Sequence, residues 1–447
     1  MAKRLFGTDG IRGVAGEPPL DPATVMALGM ALGADLVRHE TAAGKPVLLG
    51  MDTRESGPAI AAQLAAGLAR RGVASAFAGV VTTPGVAYLT RTGDFAAGVM
   101  ISASHNPFGD NGIKVFARTG FKLPDAEEHE IEEEIFRLLP CLGDDGDAVP
   151  LTAGYPIRRY LDFLLSTLAD SLGGLRVVLD CGNGAASAIA PPLFREAGAE
   201  VAAICNEPNG RNINLDCGAL HLEGLRQAVL ESGADAGVAF DGDADRALLV
   251  APSGRIVDGD AILLIAARRL QRDGHLPGNL IVSTVMSNLG LEKALAAHGI
   301  GMLRTAVGDK YVLEEMIRRD APLGGEQSGH VIFSEYATTG DGMLTALKVL
   351  ETARRDNATL DELAAEMVVY PQILVNVRVK AKRPLDDMPR VTDEIAACEA
   401  ELNGSGRVLV RFSGTEPLLR VMVEGPEQGL IESLAGRMAD AIRAELG

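Results

Sequence analysis

The chain has 447 residues, too many for one ordinary hydrophobic core, and its composition of 47% hydrophobic and 23% charged residues is that of a folded protein of three or four domains. A formal net charge of −18 excludes an extended nucleic-acid surface or attachment to anionic lipid, so any anionic ligand has to meet a locally basic pocket. Five scattered cysteines without a CxxC pair, no signal-peptide core behind Lys3 and Arg4, and no apolar window long enough to span a bilayer lead to the expectation of a cytoplasmic enzyme.

Lys45 to Met51 is a short apolar run of strand type, and Pro58 to Arg70 repeats alanine and leucine at helical spacing. Phe95 to Ile101 is a second apolar run, ending abruptly in the polar Ser102-Ala103-Ser104-His105-Asn106-Pro107. The arrangement returns at Leu175 to Asp180, with a helix expected after Gly182-Asn183-Gly184, and at Asp235 to Phe240, which runs into Asp241-Gly242-Asp243-Ala244-Asp245-Arg246. A third unit opens with Leu280 to Thr284, continues through the helical spacing of Leu289 to His298, and reaches Gly324-Gly325-Glu326-Gln327-Ser328-Gly329-His330. Three diverged copies of one α/β unit is the economical reading, and since ligands gather outside the carboxyl ends of strands, three such ends would face one cleft. From Tyr370 the texture changes to an alternating strand at Ile373 to Val379, two strands within Val408 to Val423 and a helix at Gln428 to Leu446. The expected fold class is α/β: three related α/β domains with mixed sheets at 1–152, 153–254 and 255–369, and a smaller C-terminal α+β domain at 370–447.

Asp241, Asp243 and Asp245 occupy alternate positions with only Gly242 and Ala244 between them, so a tight loop converges three hard oxygen ligands on one cation, for which Mg²⁺ is the natural occupant. An EF-hand is excluded because Arg246 stands where that loop needs glycine and Pro252 where it needs glutamate. The plainer alternative is a solvated acidic turn. Ser104, flanked by His105, Asn106 and Pro107, is either a nucleophile on an accessible turn or an ordinary turn serine; the Gly-x-Ser-x-Gly elbow of acyl-transfer enzymes is absent. Arg411, Ser413, Gly414, Thr415 and Arg420 combine backbone amides, hydroxyls and guanidinium groups suited to a phosphate dianion, or form a hairpin turn with surface arginines. Glu326, Ser328 and His330 alternate on a short segment, a spacing that would direct all three toward a sugar's hydroxyls, with a structural histidine as the other reading. Arg12, Lys114, Arg246 and Lys310 are the basic candidates beside glycine-rich turns.

Taken together, FGTDGIRG at Phe6 to Gly13, ISASHNPFGDNGIKVF at Ile101 to Phe116, FDGDADR at Phe240 to Arg246, VGDKYV at Val307 to Val312, GEQSGH at Gly325 to His330 and RFSGTEPLLRVMVEG at Arg411 to Gly425 resemble the α-D-phosphohexomutase family over the whole chain. The resemblance implies four domains around a central cleft and a phosphoserine at Ser104. It implies one Mg²⁺ per subunit, held by the Ser104 phosphate with Asp241, Asp243 and Asp245, and a hexosamine or hexose 1,6-bisphosphate as primer. It assigns the sugar hydroxyls to Glu326 and Ser328, with His330, Arg246 and Lys310 in the same cleft, and the non-reacting phosphate to Arg411, Ser413, Gly414, Thr415 and Arg420. General acid and base are open among Lys114, Arg12, His105 and His330. Gln327 looks like the glucosamine-type version of its loop, whereas Lys310 stands where arginine is expected in that branch. The implied activity interconverts glucosamine 6-phosphate and glucosamine 1-phosphate, supplying UDP-N-acetylglucosamine, with glucose or mannose phosphates as the alternative substrates. The implied partner is a small sugar phosphate, and a homodimer is left open.

Overall fold

Many strands of this chain are short apolar runs, and helices such as Pro22–Arg38 and Gly57–Ala69 are rich in alanine and leucine. The computed structural model describes residues 5–7, 9–39, 44–142, 151, 154, 157–413 and 417–447. They form two units: one comprises the chain up to Met286 together with Ile300–Ala365, the other Ser287–Gly299 together with Glu366–Gly447.

The larger unit begins with β1 (Phe6–Gly7), β2 (Gly10–Val14), α1 (Pro22–Arg38), β3 (Val47–Met51), α2 (Gly57–Ala69), β4 (Ser75–Val80), α3 (Thr83–Thr92), β5 (Ala97–Ile101), β6 (Asp110–Ala117) and α4 (Asp125–Leu138). The strands make a mixed sheet in the order β1-β2-β6-β5-β3-β4. Asp21 caps α1 by accepting from Thr24 N at 3.1 Å, and Pro22 occupies the first turn, where its missing N–H costs nothing. Helices α1 and α2 meet at Gly29 and Gly67; a β-carbon on Gly29 would stand 2.3 Å from Leu64 O, so only glycine admits this approach. Leu28, Leu32, Leu64, Val99, Ile101 and Ile135 bury their side chains in the core beside this contact, where dense packing leaves little room for altered volume.

Next come α5 (Arg158–Ser166), β7 (Arg176–Asp180), α6 (Ala190–Glu196), β8 (Glu200–Ile204), α7 (Glu223–Ser232), β9 (Ala236–Phe240), β10 (Ala247–Val250) and β11 (Ile256–Val257), with the sheet ordered β11-β10-β9-β7-β8. The helix expected directly after Gly182-Asn183-Gly184 starts only at Ala190, because Gly182 and Asn183 both take positive φ and open a run of turns. Then follow α8 (Gly259–Arg272), β12 (Leu280–Thr284), α9 (Leu289–Ala297), β13 (Gly301–Thr305), α10 (Asp309–Arg319), β14 (Leu323–Gly325), β15 (Val331–Phe333), α11 (Gly342–Asp356) and α12 (Leu360–Ala364), with the sheet ordered β13-β12-β14-β15. Helix α9 groups with the smaller unit although it links two strands of this sheet.

The three sheets share one four-strand plan. In each, the first strand (β3, β7, β12) pairs in parallel with the second (β4, β8, β13) and the third (β5, β9, β14), and the third turns back into an antiparallel fourth (β6, β10, β15). The expected threefold repetition of one α/β unit is therefore present in topology.

In the smaller unit, β16 (Gln372–Arg378), α13 (Pro389–Leu402), β17 (Arg407–Phe412), β18 (Leu418–Glu424) and α14 (Gln428–Leu446) give an antiparallel sheet, β16-β18-β17, whose core draws Val391 and Leu402 from α13 and Ile431 and Met438 from α14. Helix α13 had no counterpart in the sequence reading. The buried Glu424 accepts from Leu289 N at 2.9 Å and from Arg407 Nε at 2.5 Å, tying α9 to the sheet. No helix among the described residues is long and apolar enough to cross a membrane.

Candidate active site

The topologically equivalent loop between third and fourth strand holds the sequence-predicted candidates Ser104, the three aspartates and Glu326 to His330 in the three copies: residues 102–109 after β5, Asp241–Arg246 after β9, and Glu326–His330 after β14. In the first loop Ser104 is buried with φ of 52°, a left-handed conformation uncommon outside glycine. Its hydroxyl donates to Asp241 Oδ2 at 2.5 Å and lies 3.3 Å from His105 Nδ1. The two loops come this close because position 242 has no side chain: a β-carbon on Gly242 would stand 2.5 Å from Ser104 O.

Asp241, Asp243 and Asp245 are all buried, with one oxygen of each inside a group no more than 4.8 Å across. Asp243 Oδ2 accepts from Thr83 Oγ1 at 2.5 Å and from Lys114 Nζ at 2.9 Å, and Asp245 Oδ2 accepts from Lys114 at 3.1 Å. Asp243 Oδ1 and Asp245 Oδ1 are buried without a hydrogen-bond partner, an arrangement costly for anionic oxygens unless a cation completes it. Three hard oxygen donors with two oxygens left over fit a divalent metal ion. By contrast, the group of Asp180, Cys205 and Cys217 has metal-like spacing, but Asp180 already accepts from Gly182 N and Gly218 N with its two oxygens, both at 2.9 Å. Burial, then the Asp245 and Asp243 charges, push the Asp241 carboxyl well above the usual range. Burial alone would lower Lys114, but Asp243, Asp245 and Asp9 outweigh it and hold the ammonium well above its ordinary value.

Beside this cluster a cavity of about 450 Å³ is lined by Asp9, Arg12, His105, Arg246, Glu326 and His330, among others. Asp9 gathers cations: Arg12 Nη2 at 2.6 Å, Lys114 Nζ at 3.1 Å and Lys122 Nζ at 2.5 Å. Although burial would raise its carboxyl, Lys114, Lys122 and Arg12 keep it well below the ordinary value. Lys122 also reaches Asp309 Oδ2 at 2.5 Å, so one ammonium bridges the first and third copies. Burial, followed by Arg246 and Arg12, pushes His105 down to about 4, which leaves a neutral imidazole at neutral pH. Arg246 Nη1 is 3.2 Å from that imidazole, while its buried Nε has no hydrogen-bond partner. His330 is pulled between two demands: Asp245 and Asp309 stabilise its cation, yet Gly340 N–H donates to Nε2 at 3.0 Å and needs that nitrogen bare.

The structure brings Ser104, His105, Arg12, Lys114, Asp241, Asp243, Asp245, Arg246, Glu326 and His330 into one region. Ser328 donates to Glu326 Oε2 at 3.2 Å, and Gln327 Nε2 turns toward Asp258 Oδ2 at 3.3 Å, at the start of α8. Lys310 ion-pairs with Asp125 rather than lining the cavity. In the smaller unit Arg411 and Arg420 face each other across β17 and β18; burial, then the neighbouring Arg420, lowers Arg411, a juxtaposition that favours an anion. Arg420 Nη2 is 3.5 Å from the buried Ser413 Oγ, whereas Gly414 and Thr415 lie outside the described residues. Asp9, Lys122, Asp309 and Thr83 were not singled out from sequence. Asp9 and Asp309 lie inside the quoted GTDG and VGDK segments, but Thr83 has no local signal because its partner is 160 residues away.

Residues 3–139, 158–254, 258–370 and 374–441 match, in turn, the phosphoglucomutase/phosphomannomutase alpha/beta/alpha domains I, II and III and the C-terminal domain of the same proteins. A phosphoglucosamine mutase from Solibacter usitatus is 60% identical, with 100% of both chains covered. One from Koribacter versatilis is 52% identical over 100% of this chain and 98% of its own. Among solved structures, a phosphoglucomutase/phosphomannomutase family protein from Burkholderia thailandensis shares the fold with a TM-score of 0.79, over 98% of this chain and 97% of that one, at 24% identity. With four matching domains in order and full-length relatives above half identity, the chain belongs to the phosphoglucomutase/phosphomannomutase family.

Proposed function

We propose that this protein is a cytoplasmic phosphoglucosamine mutase, interconverting glucosamine 6-phosphate and glucosamine 1-phosphate through a phosphorylated Ser104 and a glucosamine 1,6-bisphosphate. The observation that carries the reading is Ser104 Oγ lying 2.5 Å from Asp241 Oδ2 at the edge of a carboxylate triad in which two buried oxygens have no hydrogen-bond partner. The 60% identical relative, a phosphoglucosamine mutase, supports the choice of substrate.

Phosphoserine 104 gives its phosphoryl group to the free O1 of glucosamine 6-phosphate: the serine Oγ–P bond breaks, a P–O1 bond forms, and the hydroxyl proton leaves as the serine oxygen is reprotonated. The bisphosphate then turns over, and its 6-phosphoryl group returns to the same serine, leaving the 1-phosphate. Asp241, Asp243 and Asp245, with the serine phosphate, would hold one Mg²⁺, which when bound offsets negative charge on the transferring group. His105 lies beside the reacting oxygen, Arg12 beside the serine loop at Ala103 O and Lys114 on the carboxylates Asp243 and Asp245, and proton transfer falls to this group and His330. Glu326, Ser328, His330 and Arg246 read the sugar, whereas Lys310, paired with Asp125, has no contact with it in this reading. Arg411, Ser413, Gly414, Thr415 and Arg420 hold whichever phosphate is not reacting, which lets one serine serve both ends of the sugar. The proposed domains run 1–152, 153–254, 255–369 and 370–447, and the product supplies UDP-N-acetylglucosamine synthesis.

The test compares kcat/KM for the 6-phosphates of glucosamine, glucose and mannose with Mg²⁺ and catalytic hexose 1,6-bisphosphate. A clear preference for glucosamine 6-phosphate supports the reading; a preference for glucose or mannose keeps the chemistry and overturns the substrate.

A further inference from the structure

We propose that Asn214 and Arg54 are positioning residues for Ser104, clamping the serine loop from two different copies of the α/β unit so that the hydroxyl is aimed before transfer begins. The inference rests on the reading of Ser104 as the phosphoryl acceptor. Asn214 Nδ2 donates to Ser104 O at 2.9 Å and to Asn106 O at 3.1 Å. Arg54 Nη2 donates to the same two carbonyls, at 3.0 and 2.8 Å. One donor pair comes from the loop that follows β8, the other from the turn that follows β3.

The guanidinium is fully buried and otherwise committed to this loop: Nη1 reaches Asp110 O at 3.0 Å and also Pro107 O, while Nε donates to Asp52 Oδ2 at 2.9 Å. Asp52 Oδ2 accepts from Ser102 Oγ at 2.6 Å, and Ser102 Oγ accepts from Ser104 N at 2.9 Å. The N–H and the carbonyl of Ser104 are thus both pinned, and the positive φ between them persists because its surroundings over-determine it. Relaxing φ into the ordinary region would swing Oγ away from Asp241. Holding the acceptor in its reactive orientation removes an ordering cost from the transfer step, an advantage expressed in rate rather than in substrate binding. Asn214 touches no reacting atom, and its amide is the only part of it that meets the serine loop in these hydrogen bonds.

The experiment is single-turnover phosphorylation of Ser104 by glucose 1,6-bisphosphate, read by intact mass, in the wild type, Asn214→Gly and Asn214→Asp. Asn214 has φ of 57°, so glycine keeps its backbone and removes only the amide, whereas aspartate keeps the shape and loses both donors. The expected result is a fall of about 10- to 100-fold in phosphorylation rate and in steady-state kcat for both variants, with KM for glucosamine 6-phosphate and metal affinity within about twofold of wild type. Arg54→Lys should give a loss of the same kind in its folded fraction, since an ammonium cannot span five acceptors. A purely structural role would lower Tm and leave the single-turnover rate of folded protein unchanged; that outcome overturns the inference. If the wild type takes no phosphate at Ser104, the phosphoserine reading fails first and this one with it; if the wild type is labelled and Asn214→Gly is labelled as fast, only the clamp is wrong.

Discussion

Ser104 Oγ donates to Asp241 Oδ2 across 2.5 Å, a hydrogen bond that links equivalent loops of two sheets. Removing that oxygen by Ser104→Ala should abolish mutase turnover by at least ~10³-fold while leaving the fold intact, since a small buried side chain is lost from a turn. Steady-state rates together with thermal unfolding check this, and substantial remaining turnover would refute the phosphoserine.

Asp243→Asn should weaken divalent-cation binding by about tenfold or more, because it neutralises one of three converging carboxylates and exchanges an acceptor for a donor beside Lys114. Calorimetric Mg²⁺ titration of the purified protein reads the effect. An unchanged isotherm removes the metal assignment.

Two glycine substitutions separate site geometry from core packing. A β-carbon on Gly242 would meet Ser104 O at 2.5 Å, and one on Gly29 would meet Leu64 O at 2.3 Å. Both Gly→Ala variants should lose about 1–3 kcal/mol of stability by overpacking. Only Gly242→Ala should also slow the folded enzyme, because it pushes the serine loop from the carboxylate loop; equal kcat losses in the two would remove that distinction.

Arg411→Ala should raise the KM for sugar phosphate by about tenfold with Mg²⁺ affinity unchanged, since it removes one of two cross-strand guanidiniums without touching the carboxylate triad. Unaltered kinetics would take the phosphate role away from this hairpin.

Burial raises the Asp341 carboxyl from its ordinary 3.8 to about 6, against the opposing hydrogen bonds from Leu344 N and the Tyr160 hydroxyl. The folded state therefore holds this proton more tightly than the unfolded chain. The corresponding stability is fully present below pH 3.8 and is lost as pH rises through about 6. Relative to Asp341→Asn, which keeps an N-cap oxygen, the wild type should lose at most about 3 kcal/mol between about pH 4 and pH 7. Parallel pH dependences of Tm in the two proteins would show that Asp341 keeps its ordinary pKa.

The order of elements and the motif chemistry were legible along the chain because both are local. The apolar run Leu280 to Thr284 coincides with β12, and Gln428 to Leu446 with α14, since periodicity reports which face each segment buries. The alternate spacing of Asp241, Asp243 and Asp245 pointed to a loop that could hold a cation, and the structure brings one oxygen of each together. Sequence also suggested three copies of one unit, but the common strand plan, and with it the equivalence of the loops at Ser104, Asp241 and Glu326, depends on which strands pair. The family resemblance already implied that Ser104 meets Asp241, 137 residues on, but only the tertiary structure supplied their direct hydrogen bond and set Lys122 between Asp9 and Asp309. It likewise turned Gln327 toward Asp258 and Lys310 toward Asp125, which composition and spacing cannot foretell. The physical reason is that a strand's own pattern specifies which face is buried, whereas the neighbours its loops meet are chosen by sheet order and by close approaches that glycines such as Gly242 permit.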